Sequence, residues 1–296
     1  SLLRHLSQLF PDKESPYWVI QNMNLAGISK EIEISASYLE DQIKVLKNKT
    51  DPFSIEIRLA ALFNLHMKYR NEKNYEKSVN VAIETYEYIN KYEIDNNLLG
   101  QQIGVLNLIV RDYLMLGEVK KAENYFSIMR DKIAIGESEE YNEKYDKGVR
   151  IHKDLKLVWK DIFDSIIKIN NGNLDEGFIG LNYTLDQVRD SEIPLRRQDL
   201  DFALMPLNYF TKEGKYDKAS ILLSKVVYLY QQNIENRIKF KSLMSSDEKN
   251  NIRDSISEYI YISSKSNNDL NDRGFEVMQL ASGLTLSDTV IKSISN

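Results

Sequence analysis

The sequence predicts an all-α protein built as a stack of antiparallel helix pairs. Three observations carry that expectation. Breakers are scarce, with 5 prolines and 12 glycines in 296 residues, which favours long helices and short connections. Around the clearest corner, apolar residues step by three and four on both sides, the spacing of one helix face. A short pattern also recurs: an aromatic residue four before a corner, an apolar residue two after it and a small residue five after it.

The copies run along the chain in order. A weak one centres on Gly27 in MNLAGISKEIEISASYL. The next has Tyr69 and Tyr75 around a corner at Lys73, with Ser78 as the small residue and Ala82 beyond it. The clearest lies in LMLGEVKKAENYF, where Tyr113, Gly117, Val119 and Ala122 fill the pattern. Leu106 and Ile109 precede it at helical steps, and Phe126 and Met129 follow. Gly117 supplies the backbone freedom that ends the first helix. Ala122 is small because two helices must approach there, and Phe126 fills the space between them. The fourth copy has Gly172, Leu174, Gly177 and Leu181, with Lys168 at the aromatic position. The fifth has Phe210, Gly214, Tyr216, Ala219 and Leu223. A last weak copy centres on Asn268.

The four central units fall at about 59–91, 103–133, 158–188 and 200–232, and successive corners are 44, 55 and 42 residues apart. The longest step leaves room for a polar loop near Gly136 and Ser138. Pro194 marks a loop between units, and Pro206 falls inside a helix that it should kink. One such hairpin cannot bury its apolar face alone, whereas a stack makes a continuous core. Residues 1–296 are therefore expected to form one array with no internal boundary.

This pattern resembles the tetratricopeptide repeat (TPR), an antiparallel helix pair with aromatic-glycine-aromatic-alanine spacing. The resemblance implies an α-solenoid wound as a right-handed superhelix. The units exceed the usual repeat of about 34 residues and look like the longer-helix variety.

Composition removes several function classes. The net charge is −5, whereas a nucleic-acid binder shows a basic face. The small basic clusters, Arg196 with Arg197 and Arg237 with Lys239 and Lys241, sit among carboxylates and read as solvated helix faces. With 0 cysteines, disulfides, thiolate metal sites and a cysteine nucleophile are excluded within these residues. No apolar run approaches the ~20 residues that span a bilayer, so neither a membrane nor nucleic acid is an expected partner, and the expected location is cytoplasmic. Ser1 in place of an initiator methionine is read as the start of a fragment or processed product.

No catalytic signature emerges. His5, His66 and His152 are far apart, and His66 falls where the repeat wants a small residue, which suits a packed histidine. The segment LGEVKK lacks the second glycine and the ending of a phosphate loop. DLNDRGFEVMQL opens like a calcium loop with Asp269, Asn271 and Gly274, but Arg273 and Leu280 stand where ligands are needed. Asp161 and Asp164 read as solvated carboxylates. No catalytic residue, metal or cofactor is expected. Of the 18 tyrosines, Tyr69, Tyr75, Tyr113 and Tyr216 are expected in the core. Tyr86, Tyr88, Tyr92, Tyr228 and Tyr230 are expected mainly to cover helix seams.

In the family that the chain resembles, the first helix of each unit lines a concave groove that takes a peptide. Carried over by repeat position, this implies Phe63, Met67 and Arg70 in one unit, Asn107, Arg111 and Leu114 in the next, and Leu204, Asn208 and Thr211 in the last. An asparagine amide can bond an extended peptide backbone, and an arginine can take a carboxylate. The family's lysine, asparagine and arginine clamp for a C-terminal carboxylate is not reproduced.

A second resemblance lies in Arg273–Ser295. Phe275, Glu276, Gln279, Leu280 and Ala281 are similar to a helix that joins such arrays to caspase-like peptidase domains of the CHAT type. Those peptidases use a histidine–cysteine dyad, so the activity would lie beyond Asn296. The expected function is a non-catalytic protein–protein interaction scaffold, the regulatory region of a larger bacterial CHAT-type protease, with a protein or peptide ligand. The alternative is a peptide-sensing response regulator with phosphatase activity, for which Gln8 and Gln21 could be nominated but nothing singles them out. A structural scaffold that oligomerises through its apolar ends is a third reading.

Overall fold

The structure is a computed structural model that describes residues 32–91, 99–137, 153–190, 202–239 and a few positions between 257 and 265. Nine helices are defined among the described residues. They are α1 (Ile32–Val45), α2 (Pro52–Asn71), α3 (Tyr75–Lys91), α4 (Leu99–Met115), α5 (Val119–Glu137), α6 (Lys153–Asn170), α7 (Leu174–Asp190), α8 (Leu207–Lys212) and α9 (Tyr216–Lys239). The copies proposed at Gly27 and Asn268, the loop at Pro194, and the Arg273–Ser295 segment lie outside the described residues.

Four corners make the pairs. Lys73, Gly117, Gly172 and Gly214 have positive φ angles of 60°, 74°, 89° and 66°. At each, two backbone bonds close the preceding helix. Gly117 N–H donates to the Leu114 carbonyl at 3.0 Å and Glu118 N–H to the Tyr113 carbonyl at 2.9 Å. Lys73, Gly172 and Gly214 and the residues after them repeat the pair. This is the Schellman closure, which satisfies carbonyls that a helix end leaves free.

The residue after each corner starts the next helix. The Glu118 carbonyl accepts from Ala122 N–H at 3.0 Å, and Asn74, Asn173 and Lys215 do the same for Ser78, Gly177 and Ala219. The small residue five after the corner is thus placed in the first turn of the returning helix. All four small residues are buried. The tightest case is Gly177, where a Cβ would lie 2.6 Å from the Ser165 carbonyl oxygen and would overlap Ile169. The α6–α7 hairpin therefore closes to a distance that only glycine permits.

The chain divides into two compact units, Ser1–Arg150 and Ile151–Asn296. In the first, each helix from α1 to α5 packs on the next in sequence. Its core joins Leu39, Leu62, Leu65, Val79, Ile89 and Ile109. Asp51 caps α2 by accepting from Ser54 N–H at 2.9 Å, and Pro52 occupies the first turn, where its missing N–H costs nothing. Tyr113 and Tyr125 stack at 5.7 Å. Gly136, expected in a loop, belongs to the last turn of α5.

In the second unit α6 packs on α7, and α9 packs on both α7 and α8. Trp159, Phe163 and Phe202 form an aromatic cluster with centroids 5.4 to 6.2 Å apart. Phe178 meets Phe210 edge-on at 5.9 Å. Pro206 breaks its helix where a kink was expected. Residues 204–206 form a turn, with Leu207 N–H donating to the Leu204 carbonyl at 3.0 Å. Proline has no N–H to continue the ladder and its ring crowds the preceding turn. Only the six residues of α8 then lead into the corner at Gly214.

The corners give the first prediction. A Cβ at Gly117 meets nothing within 4 Å, so substitution there reports backbone strain alone. Gly117→Ala is expected to lower stability by about 1 kcal/mol. Lys73→Gly, which relieves the same strain at a cost in chain entropy, is expected to raise it by about 0.5 kcal/mol. Urea unfolding followed by circular dichroism measures both.

Candidate functional site

The residues carried over by repeat position fall on first helices, and the structure places each of them. On α2, Phe63, Met67 and Arg70 are spaced by four and three residues and all are partly buried. Phe63 packs against the core cluster of the first unit. On α4, Asn107 is partly buried, whereas Arg111 is 3% and Leu114 1% exposed. Spacings of four and three put these three on one helix face, so packing by neighbouring elements, and not the step itself, buries the latter two. In the second unit, Leu204 lies in the turn before α8, partly buried, and Asn208 is exposed on α8. The Thr211 hydroxyl points back to its own helix, within 3.0 Å of the Leu207 carbonyl oxygen and 3.2 Å of that of Asn208. Of the set, Asn208 is exposed and Phe63, Met67, Asn107, Leu204 and Thr211 are partly so, whereas the Arg70 side chain is only 9% exposed.

Behind the first-unit residues lies a buried polar network that the sequence did not announce. Asp112 of α4 is 0% exposed. Its Oδ2 lies 3.0 Å from His66 Nε2 and accepts from the Ser78 hydroxyl at 2.6 Å. Arg70 Nη1 stands 3.6 Å from Asp112 Oδ1. The network joins α2, α3 and α4. A buried carboxylate persists only when paired and hydrogen-bonded, and here one arginine, one imidazole and one hydroxyl share that task. The residue types are those of a hydrolase triad, but the wiring differs. Ser78 donates to the carboxylate and not to the imidazole, so no base activates it as a nucleophile. Arg70 thereby has its guanidinium anchored beside Asp112 at the edge of the first-helix face.

The opposite side of α2 carries a second set of polar contacts. The Tyr69 hydroxyl donates to Glu40 of α1. Arg58 Nη2 bonds Glu84 of α3 at 3.0 Å, Arg58 Nη1 donates to the Lys47 carbonyl at 3.0 Å, and the guanidinium lies 4.2 Å from the centroid of the Tyr88 ring. Burial, reinforced by the bond to Glu40, holds the Tyr69 hydroxyl well above the usual phenol range. Tyr69 and Tyr88 are buried, whereas Tyr75, Tyr86, Tyr113 and Tyr216 are partly buried and Tyr228 is exposed.

Among the described residues no group of three or more histidine, cysteine, aspartate or glutamate side chains could hold a metal ion. No described helix is long and apolar enough to cross a membrane. No protein-family model matches the chain, and no curated protein matches it either. The architecture itself is an all-α helical repeat of antiparallel pairs with sequential contacts, as in a TPR-like solenoid.

Two predictions follow from the polar groups. Asp112→Ala leaves His66 and Ser78 without their shared hydrogen-bond partner and Arg70 without its ion-pair partner, and is expected to cost about 3 to 5 kcal/mol in urea unfolding. Tyr69 gives a pH dependence. Its folded-state value is raised above the ordinary 10.0, so between the two values the unfolded chain has lost the proton and the folded chain keeps it. Its contribution is full below pH 10 and falls as pH rises above it. The thermal midpoint of wild type should drop more steeply above about pH 10 than that of Tyr69→Phe.

Proposed function

We propose that this chain is a non-catalytic protein–protein interaction scaffold that takes a protein or peptide on the faces of its first helices. The observation that carries the reading is the partial exposure of Phe63 and Met67 on α2 and of Asn107 on α4. These offer two apolar side chains and an amide, and the edge of the largely buried Arg70 guanidinium stands beside them against Asp112. Apolar anchors give contact area, and the amide and guanidinium can meet peptide backbone and carboxylate. Arg111 and Leu114 are buried and are left out of the proposed surface, and Asn208 offers the corresponding amide in the second unit. In this proposal the scaffold is the regulatory region of a larger bacterial CHAT-type protease. That part rests on the resemblance of Phe275, Glu276, Gln279, Leu280 and Ala281 to the joining helix of such proteins.

Peptides selected on the intact chain from a random displayed library test the face. Binding measured by calorimetry is expected to weaken about tenfold in Met67→Lys/Asn107→Lys and to be unchanged in Glu118→Lys, an exposed corner residue. Equal affinity in the two variants would remove Met67 and Asn107 from the binding surface.

A further inference from the structure

A surface pocket of about 460 Å³ opens between α1, α2 and α3, on the side of α2 away from the first-helix face. Arg58, Leu65 and Tyr69 line it, whereas Phe63, Met67 and Arg70 lie roughly 150° around the helix at 100° per residue. Its volume is in the ordinary range for a ligand site, about 300 to 1,000 Å³.

The charge of the pocket is opposite to that of the chain. Lys44, Lys47, Arg58 and Lys77 line it against two carboxylates, Glu40 and Glu84, in a protein of net charge −5. Both carboxylates are already engaged, Glu84 by Arg58 and Glu40 by the Tyr69 hydroxyl. Lys44 and Lys47 are exposed and have no carboxylate partner among the described residues. The Lys77 ammonium lies 5.2 Å from the centroid of the Tyr69 ring and has no carboxylate partner among the described residues. Arg58 is 5% exposed, and its Nε is buried without a hydrogen-bond partner. Ile43, Leu65 and Val81 supply an apolar wall beside these cations.

We propose that this pocket is a docking site for an acidic peptide segment that carries an apolar side chain, with carboxylates on Lys44, Lys47 and Lys77 and the apolar group against Ile43, Leu65 and Val81. Three ammonium groups without a carboxylate partner among the described residues, set around one opening, attract negative charge. An oxyanion alone would leave the apolar wall unused. A phosphate group is also best held by a free guanidinium fork, and the fork of Arg58 is occupied by Glu84 and the Lys47 carbonyl. The Asn80 amide at the rim can bond a peptide backbone. The assignment stands apart from the first-helix face, because it shares none of that face's residues.

The test uses the intact chain and a fluorescein-labelled peptide of alternating glutamate and leucine, read by fluorescence anisotropy at low salt. Lys44→Glu/Lys47→Glu is expected to weaken binding about tenfold. A matching peptide with glutamine for glutamate should bind at least as weakly, and added salt should release the acidic one. Met67→Lys/Asn107→Lys should bind it like wild type, which separates this site from the first-helix face. Lys77→Gln provides a second readout if the double reversal loses helicity. Equal binding by wild type and the lysine variants, or no binding of the acidic peptide, would overturn the proposal. Complete displacement by inorganic phosphate would assign the pocket to free oxyanions instead.

Discussion

A helix can turn back on its neighbour within two residues only if one of them takes a positive φ. The four corners at 73, 117, 172 and 214 meet that condition, and much else in the molecule depends on it. The left-handed residue lets two N–H groups reach back to the preceding helix, while the next residue already accepts the first bond of the returning one. The two axes then start close together, which is why the fifth residue after each corner is Ser78, Ala122, Gly177 or Ala219. Glycine meets the condition without strain at three corners. Lys73 meets it at the cost of a side chain in the left-handed region.

Helix α2 works on two sides. One side is tied to α4 through Asp112, with His66 and Arg70 as partners. The other holds Arg58 and Tyr69 against α1 and α3. Such groups contribute more to selecting one arrangement than to net stability, because mispacking would leave a desolvated charge unpaired. The polar groups offered to a partner are therefore fixed by what lies beneath them. Arg70 is anchored on a buried carboxylate, and the lysines of the pocket surround an arginine already in place.

Much of this architecture was legible in the residues. All four central corners fall where the aromatic and small-residue spacing puts them, including Lys73, which has no glycine to mark it. The helices extend beyond the expected units at several ends, since periodicity weakens where a helix end meets polar solvent. The break at Pro206 is stronger than the expected kink, because proline's effect depends on whether neighbours hold the two halves together. Asp112 was missed for a different reason. A carboxylate beside Arg111 in sequence looks solvent-facing until α2 and α3 deliver a histidine, an arginine and a serine to it. Burial of Arg111 and Leu114 likewise depends on neighbours, since a helical step shows that residues share a face and not what covers it. The pocket joins residues from three helices, and no local pattern contains it.

The double duty of the corner backbone has an evolutionary consequence. The residue that completes one helix closure also opens the next helix, so there is no slack between paired helices. One inserted residue at a corner would rotate the returning helix by about 100° and carry its small residue away from the contact. Length changes in this chain must therefore accumulate elsewhere, and the unequal spacing of 44, 55 and 42 residues between corners records that bias. Homologous chains should tolerate insertions and deletions between pairs and keep the five-residue interval from corner to small residue unchanged.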